Sequence, residues 1–164
     1  MLSILGCKPY RGRGNNAEPE GQFMYWRYWL TNGRMMYPLK YLKLDRDEEG
    51  LARLAFSDEK GPDVTVIRVS EDVMKQVSDM VTEYSLKKLK NTYVPLGDVR
   101  DGVMWGLHIG YEKNPIGSGG SNAWPPEKLW SGVKAVNEYL DSLAKAAGES
   151  DVIEHWSHLE RDLF

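Results

Sequence analysis

Cysteine is nearly absent from this sequence of 164 residues, in which Cys7 is the only one. A single cysteine excludes an intramolecular disulfide and any metal site built from several thiolates. Histidine is scarce too, and of the three present only His155 and His158 are close along the chain. Because a catalytic zinc ion needs at least three protein ligands, the distant His108 would have to complete such a site. We therefore predict no metal and no cofactor.

Excess positive charge and long apolar runs are also missing. The formal net charge is −3, whereas a protein that neutralises a phosphate backbone needs a basic patch. No stretch approaches the roughly 20 apolar residues of a membrane-spanning helix. The composition is otherwise that of one globular domain, with 41% hydrophobic and 27% charged residues. We predict a single domain that does not bind nucleic acid.

The segment that ends at Cys7 is a candidate targeting signal. Its residues 4–7, Ile-Leu-Gly-Cys, resemble the cleavage box of bacterial lipoproteins, in which the cysteine is acylated. Only six residues precede Cys7 and none is basic, so a lipid anchor at the cell envelope requires a start truncated within a longer signal. Otherwise the chain is expected to be cytoplasmic. Residues 1–22 predict a flexible tether, and membrane contact is expected only through lipidation of Cys7.

Apolar alternation between residues 23 and 70 predicts four strands joined by tight turns, an antiparallel meander. The first turn contains Asn32-Gly33, the dipeptide typical of a two-residue hairpin. Ser70 is a good N-cap for a following helix with acidic residues in its first turn. The apolar residues of that helix recur at helical spacing: Val73, Val77, Met80, Val81 and Tyr84.

The second half of the chain predicts further strands and a second helix. In the strand over residues 103–111, odd positions such as Trp105 should face the core. Gly106 and Gly110 should lie on the outer face, where another backbone or a ligand is expected to pack closely. The second helix should begin near Pro125 and end at Gly148.

These elements predict an α+β fold. We expect an antiparallel sheet of about six strands, a four-stranded meander followed by further strands, with two helices packed on one face. Residues 23–148 should form this single domain. Residues 149–164 predict a short C-terminal amphipathic segment that docks as a helix or serves as a partner-binding strip.

The glycine-rich stretch before the second helix has two interpretations. As a connection, Ser121 or Asn122 satisfies the first N–H groups of the helix, and Trp124 packs against its first turn. As a recognition loop, its polar and aromatic residues bind a ligand or partner. The predicted binding residues are Ser118, Gly119, Gly120, Ser121, Asn122 and Trp124. A phosphate site is disfavoured because Pro125 and Pro126 lack N–H donors.

Three features occur in order: the Asp101-Gly102 turn, Trp105 on a strand, and the sequence SGGSNAWPP ahead of a terminal helix. In this order they resemble a family of bacterial proteins with a domain of unknown function. The resemblance covers about residues 24–145. Many members look like secreted lipoproteins, so it implies a place at the cell envelope, and it implies no catalytic residues.

Two functions are therefore expected. The first is a non-enzymatic binding module that recognises a protein or glycan through its aromatic residues, with an immunity or inhibitor protein as a specific form. Six Trp and nine Tyr support it, because both residue types favour binding surfaces. The alternative is a small hydrolase-like enzyme that uses Asp98, Asp101 and His108. An enzyme should bring these side chains together in a cleft.

Overall fold

A computed structural model describes residues 10–57, 61–97 and 102–161. In this part of the chain nine strands form one sheet, on which two α-helices pack. The strands are β1 (Tyr10–Asn15), β2 (Glu20–Asn32), β3 (Lys40–Arg46), β4 (Ala52–Ser57), β5 (Asp63–Arg68), β6 (Lys90–Pro95), β7 (Val103–Lys113), β8 (Ile116–Ser121) and β9 (Val152–Ser157). The helices are α1 (Glu71–Glu83) and α2 (Glu127–Ala146). Neither helix is long and apolar enough to cross a membrane.

The sheet is mixed, and its strand order is β1-β6-β8-β7-β2-β3-β4-β5-β9. Strands β2 to β5 are consecutive antiparallel neighbours, so they form a meander. Strand β7 continues the sheet on the other side of β2, and β8 folds back against β7. The pair β6 and β8 is the parallel one. Strands β1 and β9 lie at the two edges.

The predicted antiparallel sheet of about six strands is therefore wrong in strand number and in strand direction. One missing strand is β1, which lies inside the predicted flexible tether and pairs with β6. Five of its six side chains are exposed, so it has no apolar alternation to signal a strand. Its main-chain hydrogen bonds to β6 hold it instead. The tether prediction also fails at residues 20–22, where β2 begins, and Cys7 lies outside the described residues.

A second missing strand is β8, in the stretch predicted as a loop, and the third is β9 over Val152–Ser157, where a docking helix was one of two predictions. A short 3-10 helix, Glu149–Asp151, precedes it. The misleading signal is the spacing of Val152 and Trp156, because four residues fit one helical turn and also two strand repeats. Pairing with β5, which is rich in β-branched residues, favours the strand over the helix.

Both helices bury their apolar stripes against one face of the sheet. Helix α1 begins where predicted, since the Ser70 side chain accepts a hydrogen bond from the Asp72 backbone N–H at 3.2 Å. From the sheet, Trp26 and Leu107 contribute completely buried side chains to the same core. The buried residues of the helices include Val73, Met74, Val77, Met80, Val81, Val133, Val136 and Leu140.

Candidate functional site

The opposite face of the sheet carries neither described helix, and we call it the open face. Cross-strand neighbours share a face, so the register identifies its side chains. One row crosses the sheet from Thr92 through Gly119 and Gly106 to Trp29 and Tyr41. Over β3 to β5 this face is closed by a small apolar cluster around Tyr41. Over β6 and β8 the described residues form no such cluster, and we call this part the bare half.

Two aromatic rings lie across glycines of β7 on the open face. A Cβ built on Gly106 would overlap three adjacent ring atoms of Trp29, and one built on Gly110 would overlap the ring of Tyr25. The three atoms are nearly equidistant from the built Cβ in each case, so the rings lie flat on the strand. The sequence predicted a backbone or a ligand against these glycines. The structure corrects this, because side chains of the neighbouring strand β2 fill the space.

Arg27 and His108 lie between these rings. The Arg27 Nη2 donates to the His108 Nδ1 at 2.9 Å, and the Arg27 guanidinium lies 5.3 Å from the Trp29 ring centroid. Burial, and then the charge of Arg27, lower the pKa of His108. Because a guanidinium only donates, Nδ1 is unprotonated and the neutral ring carries its proton on Nε2.

A groove of about 560 Å³ runs along the bare half of the open face. Its floor belongs to β6 and β8, where Gly119 has no side chain, and Trp29 stands at the side toward β2. The lining residues are Trp29, Thr31, Gly33, Met35, Asn91, Thr92, Tyr93, Val94, Met104, Trp105, Gly119, Gly120 and Ser121.

Exposed methionines border the groove, and we call Met35, Met36 and Met104 the methionine rim. Met36 is 83% exposed, and the other two are each more than a third exposed. The rim arises because β2 and β3 are joined by seven residues, 33–39, rather than by the predicted two-residue hairpin. Pro38 also lies in this connection.

The six predicted binding residues lie in different environments in the structure. Gly119, Gly120 and Ser121 line the groove, but they belong to strand β8 and not to a loop. Ser118 is buried, and its hydroxyl donates to the Lys90 carbonyl at 2.6 Å. Asn122 accepts from the Val103 N–H at 3.1 Å through its side chain. It therefore ties down the start of β7.

Trp124 is half-buried and packs against the main core, as a residue that fixes the start of α2 should. The predicted side-chain cap is wrong, because Pro126 is the N-cap of α2 and no side chain caps it. A proline preset for the first turn, together with apolar packing of the preceding residues, replaces the cap.

Trp124→Ala should lower the free energy of unfolding by about 3 kcal/mol, the low end for buried aromatic truncations, because the ring is only partly buried. Thermal and chemical denaturation would measure it. A loss below about 0.5 kcal/mol would instead favour a role for Trp124 in recognition.

Of the three residues of the predicted hydrolase site, the structure describes His108. Asp98 and Asp101 lie outside the described residues. His155 is on the edge strand β9, and His158 follows it, whereas His108 is in β7. Within residues 10–57, 61–97 and 102–161, no group of three His, Cys, Asp or Glu side chains could hold a metal ion.

His158 is buried in an aromatic cluster. Its ring centroid lies 5.1 Å from that of Tyr41 and 4.9 Å from that of Trp156, both edge to face. Neither of its ring nitrogens has a hydrogen-bond partner. Burial lowers the pKa of His158 below its ordinary value of 6.5, so the neutral ring is the folded form.

Stability should therefore fall as the pH drops below about 6.5. The unfolded chain binds the proton first, which lowers the free energy of unfolding until the pH passes the folded pKa. His158→Phe keeps an aromatic ring, so it should weaken this pH dependence and leave stability at neutral pH equal or slightly higher. Urea unfolding at about pH 7.5 and about pH 5 tests this, with the exposed His155→Gln as the control. An unchanged slope in His158→Phe would contradict it.

The fold and groove define a class, an α+β domain whose helices cover one face of a sheet and leave part of the other bare. Aromatic, arginine and methionine side chains surround that bare part. No protein-family model matches the sequence, and no curated protein matches it.

Proposed function

We propose that the chain is a non-enzymatic protein-binding module whose interface is the groove and the methionine rim. The observation that carries this proposal is the exposure of Met35 and Met104, which line the groove together with Trp29. Methionine is flexible and polarisable, so it adapts to a partner surface. Met, Trp and Arg are also the residue types enriched in protein interfaces.

A glycan is the second candidate ligand. It is favoured by the rings of Trp29 and Tyr25, which lie flat on the sheet and are both partly exposed. The hydrolase alternative gains no such support. The basic nitrogen of His108 already accepts from Arg27, which makes this imidazole a poor proton acceptor.

Cellular placement is a separate part of the proposal. We propose attachment to the cell envelope through Cys7, with an immunity or inhibitor protein as the specific form of the module. The support is the sequence before Cys7 and the family resemblance. Labelled palmitate should be incorporated in the native host and lost in Cys7→Ser, and labelling that survives this change would contradict the anchor.

A matched pair of methionines tests the interface. Met104 and Met24 are 42% and 41% exposed, but Met24 does not line the groove. Met104→Asp should lower recovery of the partner from native cells at least tenfold, whereas Met24→Asp should leave it unchanged. The basis is that a central contact contributes about 2 kcal/mol.

Both variants should melt at the wild-type temperature, because exposed substitutions scarcely change stability. Equal recovery with the two variants would contradict the groove as the interface. Retention on immobilised neutral glycans that Trp29→Ala abolishes would favour the second candidate.

A further inference from the structure

Three described arginines, Arg11, Arg13 and Arg27, lie on the open face of the sheet. Within the described residues, no carboxylate lies within ion-pair distance of Arg11, Arg13 or Arg27. Four other arginines do pair with carboxylates: Arg46, Arg53, Arg68 and Arg161. These three arginines therefore place positive charge on the open face, although the whole chain is acidic at −3.

Arg11 and Arg13 stand at the side of the groove opposite Trp29. They pair with Val94 and Thr92 of β6 in the strand register, and both of those residues line the groove. Since cross-strand neighbours share a face, the two arginines also project on the open face. Both are exposed. They are two residues apart on one strand, which separates their Cα atoms by roughly 6.7 Å.

The groove is wide enough for one extended chain. Strands β6, β8 and β7 separate β1 from β2, and four strand spacings amount to roughly 19 Å. This gap is narrowed by the side chains of Arg11 and Arg13 on one side and by that of Trp29 on the other. Gly119 lines the groove between them and has no side chain to fill it.

We infer that the groove binds an extended acidic segment of a partner protein, in which carboxylates two residues apart meet Arg11 and Arg13. The inference rests on the proposed protein-binding function and names the chemistry of the partner. Side chains two residues apart in an extended chain repeat at roughly 6.7 Å, the spacing of the two arginines. Alternate residues point the opposite way, so apolar side chains between the carboxylates would meet Trp29 and Met104. Arginine can hold each carboxylate with two parallel hydrogen bonds.

Selection from a random peptide library tests this without knowledge of the partner. Peptides of about 12 residues displayed on phage would be selected against the full chain. We expect enrichment of Asp or Glu at positions i and i+2 with apolar residues between them. The synthetic consensus peptide would then be titrated by calorimetry, and its affinity should fall as salt is raised.

Variants of the full chain distinguish the contribution of Arg11 and Arg13 to peptide binding from the effect of net charge. The double variant Arg11→Ser with Arg13→Ser should weaken the consensus peptide about tenfold or more. The pair Lys128→Ser and Lys134→Ser on α2 removes the same charge from the helical side, and its effect should stay below about twofold. Arg11→Lys with Arg13→Lys should give an intermediate loss, because lysine keeps the charge without the paired hydrogen bonds.

Other outcomes would overturn the inference in distinguishable ways. If the consensus peptides are neutral and their binding still depends on Met104, the inference of an acidic partner is contradicted and the proposed function stands. Failure to select any peptide whose binding depends on Met104 would count against both. Retention on polygalacturonate that is lost in the Arg11→Ser and Arg13→Ser variant, with no acidic peptide enriched, would identify an acidic glycan instead.

Discussion

Trp26→Ala should lower the free energy of unfolding by about 4 kcal/mol, within the range for buried aromatic truncations. Trp26 is completely buried at the centre of the sheet, on β2. Its indole N–H donates to the Asn137 side-chain oxygen of α2 at 3.1 Å. The substitution therefore opens a large cavity and also leaves a buried amide oxygen without its donor, which adds a desolvation penalty.

A pair of further variants separates the cavity from the hydrogen bond. Trp26→Phe keeps most of the ring and removes the donor, so it should cost about 1–3 kcal/mol. Combining it with Asn137→Leu should recover part of this loss, since both polar partners are then gone. Chemical denaturation of the single and double variants gives the coupling. If Trp26→Ala cost less than about 1 kcal/mol, the helix–sheet contact described here would be wrong.

The regular interior of the fold could be predicted because its residues repeat with a clear period. Strand β7 faces the core with Trp105, Leu107 and Ile109, as its alternation predicts. Helix α1 starts after its predicted N-cap Ser70. The meander of β2 to β5 lies in the region where alternation predicts four strands, although its first connection is longer than the predicted two-residue turn.

The edges of the sheet could not be predicted in the same way. Strand β1 buries almost nothing, so its conformation depends on an exposed backbone and on register with β6, far along the chain. Strand β9 has a spacing that fits helix and strand alike. Edge strands depend on their neighbour more than on their own residues, and the sheet gains its extra width there.

The candidate site was missed for a related reason. Trp29 lies over Gly106 only because β2 and β7 pair in one register, and that register joins segments far apart in sequence. The useful signal was present in the stretch FMYWRYWL, where aromatic residues occur on both strand faces and Arg27 lies among them. Gly106 and Gly110 lie on one face of β7, and they could have been interpreted as positions against which those rings pack.

Gly120→Ala should destabilise the protein by about 2–6 kcal/mol, although the change is one methyl group. A Cβ at this position would overlap the Ala123 carbonyl oxygen and the indole nitrogen of Trp105. These two atoms form a buried hydrogen bond of 2.8 Å. Overpacking of this kind costs about 1–3 kcal/mol, and a broken buried hydrogen bond adds about 1–3 kcal/mol.

Gly117→Ala on the same strand is the matched control. A Cβ there would lie 3.8 Å from the nearest atom of His108, an ordinary contact. The change should therefore be within about 0.5 kcal/mol or slightly stabilising, because alanine restricts the unfolded chain. Urea unfolding of both variants measures the difference. Equal stability of the two variants would mean that Trp105 and Ala123 can move apart freely. A large gap would mean that packing against Trp105 requires the glycine at position 120, even though its backbone also forms part of the groove.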